Sequence, residues 1–153
     1  MPKCLLCNSV CANFAKSHIL SKGFFNNVDA KKQEQCQGRA VNLKTGDSRK
    51  LASSIYDLEM LCPECEDKIM KPLDNYGIKV LRDKNKANRI NFVNDLGLWV
   101  YDELDKRQLR AFIASVLWRC SVSRLKELAK ISIGAVYEQR IGHDLLNGGE
   151  FDY

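Results

Sequence analysis

Residues 61–69 read LCPECEDKI, and the two cysteines in that stretch, Cys62 and Cys65, stand at the spacing of half a tetrahedral metal site. A gap of two residues lets both sulfurs of such a pair reach one ion. Pro63 follows the first cysteine, and proline at a first helical position gives up no hydrogen bond. Glu64, Glu66 and Asp67 come next, where acidic side chains favour the positive end of a helix dipole. The stretch therefore predicts a helix beginning at Pro63. Pro72 is expected to break or bend it, with helix resuming through NYGIKVL at residues 75–81.

The other half of the metal site lies at the start of the chain. Cys4 and Cys7 in MPKCLLCNSVC form a second Cys-x-x-Cys pair, placed in a turn. Four soft thiolates in two such pairs fit structural Zn²⁺. The bland alternative is two unrelated pairs of buried cysteines. Cys11 and Cys36 are surplus to the site, and Cys120 sits on an apolar helical stripe and reads as core. The 54 residues between the pairs have room for strands. FAKSHIL (14–20) reads as a strand ending near His18. RAVNLKTGDSRKLA (39–52) reads as a hairpin around Lys44-Thr45-Gly46-Asp47, and SIYDLEML (54–61) leads into the second pair. A knuckle, a hairpin and a helix in that order make a treble-clef ββα pattern.

Residues 82–95 are polar, carry mixed charge and show no helical stripe, and they divide a zinc module at 1–82 from an all-helical region at 83–153. In that second region Leu109, Phe112, Ile113, Val116, Leu117 and Cys120 recur at three- and four-residue steps, which predicts a helix with one broad apolar face. Arg119 and Arg124 on and after it read as solvated, with a partner-facing role as the alternative. A last helix is expected after Gly134, with Val136, Tyr137, Ile141 and Leu145 on one side and Gly148-Gly149 ending it. The fold class is α+β.

Of 153 residues, seven are cysteines, an odd number that argues against a complete disulfide framework. No apolar run approaches the roughly 18 residues of a membrane span, and the N-terminus has no secretory core. A cytoplasmic protein with reduced thiols and no membrane partner is expected. Net charge is +5; residues 1–62 hold nine basic against five acidic residues, and residues 63–153 hold fifteen against fourteen. The cysteine-bearing half is the basic half, which suits a phosphate-binding surface.

The string CLLC … AKSHIL … DLEMLCPECEDK resembles the HNH, or ββα-metal, endonuclease family in its four-cysteine form, over residues 4–70. In that family a strand ends in a histidine, an asparagine precedes the second cysteine pair, and a histidine follows it. The resemblance implies that His18 is the general base, that Asp57 stands for the asparagine, and that Glu66 stands for the metal-binding histidine. An oxygen ligand such as Glu66 suits Mg²⁺ or Mn²⁺ as a catalytic ion, and an Asp at 57 can hydrogen-bond the imidazole. Ser17 stands where many members carry a metal ligand, and Leu20-Ser21 replace the usual proline context. The bland readings are a satisfied strand-end histidine, a dipole-stabilising Glu66 and a turn-capping Asp57.

Lys16, Lys22, Lys31, Lys32, Arg39, Lys44, Arg49 and Lys50 surround this site in sequence and are suited to the phosphates of a nucleic acid, DNA before RNA. GFF (23–25) reads as cover for a small core, with base stacking as the alternative. Three functional readings follow: a metal-dependent nuclease, an inactive zinc module that binds nucleic acid, and a phage or mobile-element protein that engages a protein partner through its C-terminal helices.

Overall fold

The computed structural model describes residues 2–25, 39–41, 45–50, 55–81, 89–93, 98–101 and 104–151. The chain is mixed α/β. Among the described residues the strands pair as three two-stranded antiparallel ladders: β1 (Ser17–His18) with β4 (Tyr56–Asp57), β2 (Arg39–Val41) with β3 (Ser48–Lys50), and β5 (Arg89–Val93) with β6 (Leu98–Tyr101). The β2–β3 ladder is the hairpin expected around Gly46, whose φ of 74° only glycine adopts without strain.

The helix opening at Pro63 runs on through Pro72. It begins as α1 (Pro63–Cys65), widens to a π turn over Glu66–Met70, and continues as α2 (Lys71–Leu81). Proline at 72 lacks the N–H that would bond the carbonyl four residues back. The π turn lies immediately before it, with the Lys71 N–H reaching the Glu66 carbonyl five residues back, so the helix accommodates the proline instead of stopping. Residues 83–153 are not all helical, because Arg89–Val93 and Leu98–Tyr101 form a hairpin. RINFV and LWVY are rich in β-branched and aromatic residues and flank an Asn-Asp step, which is strand and turn chemistry.

Two helices complete the fold. α3 (Lys106–Val122) is capped by Asp105, whose carboxylate accepts the Gln108 N–H at 2.9 Å. α4 (Ala135–Asn147) starts after Gly134 and ends at Gly148 in the left-handed conformation, as the glycine pair predicts. Between them Lys126–Leu128 form one 3₁₀ turn. α3 does not bury the stripe its leucines suggest. It turns Ala111, Phe112, Ala114, Ser115, Trp118 and Arg119 inward and leaves Ile113 and Leu117 48% and 46% exposed. On α4, Ile141 and Leu145 are buried while Val136 and Tyr137 are exposed.

One hydrophobic core draws on both sides of residue 82. Cys4, Leu6, Met60, Leu61 and Met70 from the amino-terminal part pack with Ala114, Trp118, Leu128, Ile141 and Leu145. α2 and α3 approach closely at Gly77, where a Cβ would lie 2.7 Å from the Phe112 ring. Phe24 stacks on that same ring with centroids 5.6 Å apart, so this phenylalanine covers the core.

Candidate metal centre and histidine site

The two cysteine arms are laced together by backbone. The Cys4 N–H bonds the Ser9 carbonyl and the Asn8 N–H bonds the Cys4 carbonyl, which closes a tight turn with Asn8 at φ 59°. Leu5 N–H reaches the Met60 carbonyl and Ala15 N–H the Leu61 carbonyl, both at 2.9 Å, so the first turn lies against the approach to Cys62. Cys62 then caps α1, its sulfur accepting the Cys65 N–H at 3.4 Å.

The result is a group of four sulfurs, from Cys4, Cys7, Cys62 and Cys65, all within 4.8 Å of one another. The group can hold a metal ion. Sulfurs placed about 2.3 Å from a shared tetrahedral zinc lie about 3.8 Å apart, and the Cys7 and Cys62 sulfurs are separated by 3.8 Å. Structural zinc is consistent with that spacing and with the all-sulfur donor set. Cys4 and Cys65 are buried, Cys7 and Cys62 half-buried. Burial pushes the Cys4 and Cys65 thiols upward. At Cys7 burial acts in the same direction but is outweighed by the hydrogen bonds from Ser9 and the neighbouring thiols, which bring it down to about 6. A cation among these sulfurs relieves that burial cost by replacing the protons. Cys11 is buried outside the group, with its thiol on the Ser9 carbonyl, and Cys36 lies outside the described residues.

Behind this centre stands the β1–β4 ladder, in which Ser17 opposes Asp57 and His18 opposes Tyr56. Directly opposed residues share a face, so the ladder has two different sides. On one, the Ser17 hydroxyl donates to Glu66 Oε2 at 2.8 Å. Asp57, 6% exposed, has both oxygens engaged, accepting the Glu59 N–H at 2.9 Å and the Ser123 hydroxyl at 2.7 Å. On the other side the half-buried imidazole of His18 meets the Tyr56 ring edge-on at 5.9 Å, and the Lys16 ammonium lies 4.0 Å from the centroid of that ring. Neither ring nitrogen of His18 hydrogen-bonds a described residue.

Burial first, and then the surrounding charges, shift the protonation of these groups. Burial lowers the His18 pKa, Lys16 adds to the effect, and Lys22 and Arg119 act in the same direction against Asp74. Burial raises that of Glu66, opposed by the Ser17 hydrogen bond and by Arg119. Among the described residues the only group of three or more His, Cys, Asp or Glu side chains with ligand spacing is the cysteine set. The fold thus brings Ser17 to Glu66 and two lysines to His18, and it does not gather His18, Asp57 and Glu66 into one shell.

Arg119, expected to be solvated, is instead fully buried. Its Nε–H bonds the Ser115 carbonyl at 3.2 Å, and its two terminal nitrogens clasp the Asp74 carboxylate at 2.6 and 3.1 Å. The remaining donors reach the Ser115 hydroxyl at 3.3 Å and the His18 carbonyl at 2.7 Å. Nothing in its position on the helix marked it. The available signal was that Asp74 and Ser115 are polar residues within otherwise core-facing stretches, which buried pairs require. Arg124 is exposed. Of the expected phosphate contacts, Lys16 and Lys22 lie beside His18, and Arg39 and Lys50 are register partners in the β2–β3 hairpin, next to the Ala40–Arg49 pair. Lys31, Lys32 and Lys44 lie outside the described residues. No helix among the described residues is long and apolar enough to cross a membrane. A scan against protein-family models, a search of the curated proteins and a search of the solved structures each find no match, so the reading of this site rests on its own geometry.

Proposed function

We propose that the chain is an HNH-like, metal-dependent nuclease built on a zinc-stapled treble-clef module. One observation carries the reading: a half-buried imidazole with neither nitrogen hydrogen-bonded to a described residue, its pKa lowered by burial and then by the flanking charges of Lys16 and Lys22, so that the ring is neutral at pH 7. A neutral histidine in a positive field is the equipment for taking a proton from water beside a phosphodiester. Lys16 and Lys22 neutralise phosphate charge and draw the substrate toward the ring. Glu66 has one oxygen on Ser17 and the other without a described partner, and it is the carboxylate available to a divalent cation. A Mg²⁺ or Mn²⁺ held by Glu66, across the β1–β4 ladder from His18, would supply positive charge to the bound phosphate. Asp57, with both oxygens engaged, fixes the turn before Cys62 and ties it to Ser123.

The second reading, an inactive zinc module that binds nucleic acid through the same lysines, is favoured by the lack of a second ligand cluster among the described residues. One experiment separates them. Purified protein with Mg²⁺ or Mn²⁺ is incubated with plasmid and with single-stranded DNA, alongside His18→Ala. The nuclease reading expects cleavage by the wild type, lost in the variant with its zinc content unchanged. Salt-sensitive retention of DNA without cleavage, indifferent to His18→Ala, sinks the enzyme and leaves the binding module.

A further inference from the structure

The geometry points to Arg119, clasped by Asp74, as the positioning residue for the His18 imidazole. This inference rests on the reading of His18 as general base. β1 is two residues long, so its ladder alone fixes little. The peptide joining His18 to Ile19 is instead gripped from both sides. Its N–H donates to the Ile55 carbonyl at 3.0 Å, and its carbonyl accepts from Arg119 at 2.7 Å.

The guanidinium is itself immobile. Four of its five N–H groups are taken by Asp74 and Ser115, and the Ser115 hydroxyl is oriented in turn by donating to the Phe112 carbonyl at 2.7 Å. With the plane fixed, the fifth N–H has one direction, and it points at His18. Burying an ion pair is a poor route to stability, because well-packed apolar residues serve as well or better. A buried arginine whose last donor holds the backbone of His18 has a second use, which is to aim that ring. Lysine carries the charge without the planar fork and cannot reproduce the contact.

The test uses the full chain with Arg119→Lys and with the double change Asp74→Leu/Arg119→Met, which removes the pair as a unit and leaves no orphaned charge. Zinc per chain, the imidazole resonances and steady-state cleavage of plasmid with Mg²⁺ are measured. The chain has two histidines, His18 and the exposed His143, so His143→Gln assigns the spectrum. The expected result is zinc retained in at least one variant, with the His18 resonance moved and the His143 resonance unmoved. kcat falls by about tenfold to a hundredfold while KM stays within about twofold. A His18 resonance like the wild type in a zinc-loaded variant overturns the inference, as does an unchanged kcat with a moved resonance. Loss of zinc from both variants also overturns it, since the pair would then hold the fold and not the ring. If the wild type cleaves nothing, the nuclease reading fails, and the resonance alone decides whether Arg119 sets the ring.

Discussion

The imidazole of His18 titrates in a field its neighbours set. Burial and then Lys16 lower its pKa from the ordinary 6.5, Lys22 and Arg119 add to this, and Asp74 opposes. The folded protein therefore holds the neutral ring to lower pH than the unfolded chain does. As pH falls, the unfolded chain takes up this proton first, and stability present above the unfolded value is lost as pH passes down through the folded one. Two outcomes are expected. The His18 resonance titrates with a midpoint below 6.5, and the wild type loses more stability than His18→Gln between about pH 7 and pH 5. A midpoint above 6.5, read by NMR across that range, would mean that an acid, and not burial with the lysines, dominates the ring.

At the scale of elements, α3 shows how a buried charge outvotes apolar periodicity. Its leucine and isoleucine positions point one way, yet the helix faces inward along Ala111, Ser115, Trp118 and Arg119. An arginine with five satisfied donors cannot be turned to water without stranding Asp74, whereas Ile113 and Leu117 tolerate partial exposure. Truncation measures the rotation. Trp118→Ala, which empties a buried site and strips the Glu138 carbonyl of its indole donor, is expected to cost about 3–5 kcal/mol. Ile113→Ala is expected to cost about 0.5 kcal/mol. Urea unfolding midpoints of the two variants check this, and equal losses would restore the face drawn from the sequence. The elements legible in the sequence were those written in local chemistry: the proline start at 63, the cysteine spacing, the turn at Gly46 and the glycine stop at Gly148. What escaped depends on contacts distant in sequence. The partners of Arg119 lie 45 and 101 residues away, and the occupation of Asp57 is set by Ser123, 66 residues on. The π turn also lay beyond local rules, which read Pro72 as a break or bend.

Over the whole molecule, the four-cysteine cluster and the helices stabilise each other through one core and three polar ties. Trp118 lies in the same buried cluster as Cys4 and Cys65. Ser123 reaches back to Asp57, and Arg119 to Asp74 and to the backbone of His18. A fragment ending at residue 82 would keep all four cysteine ligands and lose every one of these partners. It would strip two carboxylates, each 6% exposed in the intact fold, of donors that offset their burial: Asp74 loses Arg119 and Asp57 loses the Ser123 hydroxyl. The fragment is therefore expected to bind zinc through its cysteines and still lack a fixed fold, giving collapsed amide dispersion where the full chain gives a resolved spectrum. Chelation of the full chain tests the converse. Without an ion the four thiols would be packed within 4.8 Å, and the two cysteine arms would be joined only by backbone bonds and core packing. Thermal unfolding should then shift downward by well over ten degrees and recover on zinc addition. A fragment with native-like dispersion, or a melting point indifferent to chelator, would show that the two halves fold apart and that the sulfurs cluster without a metal.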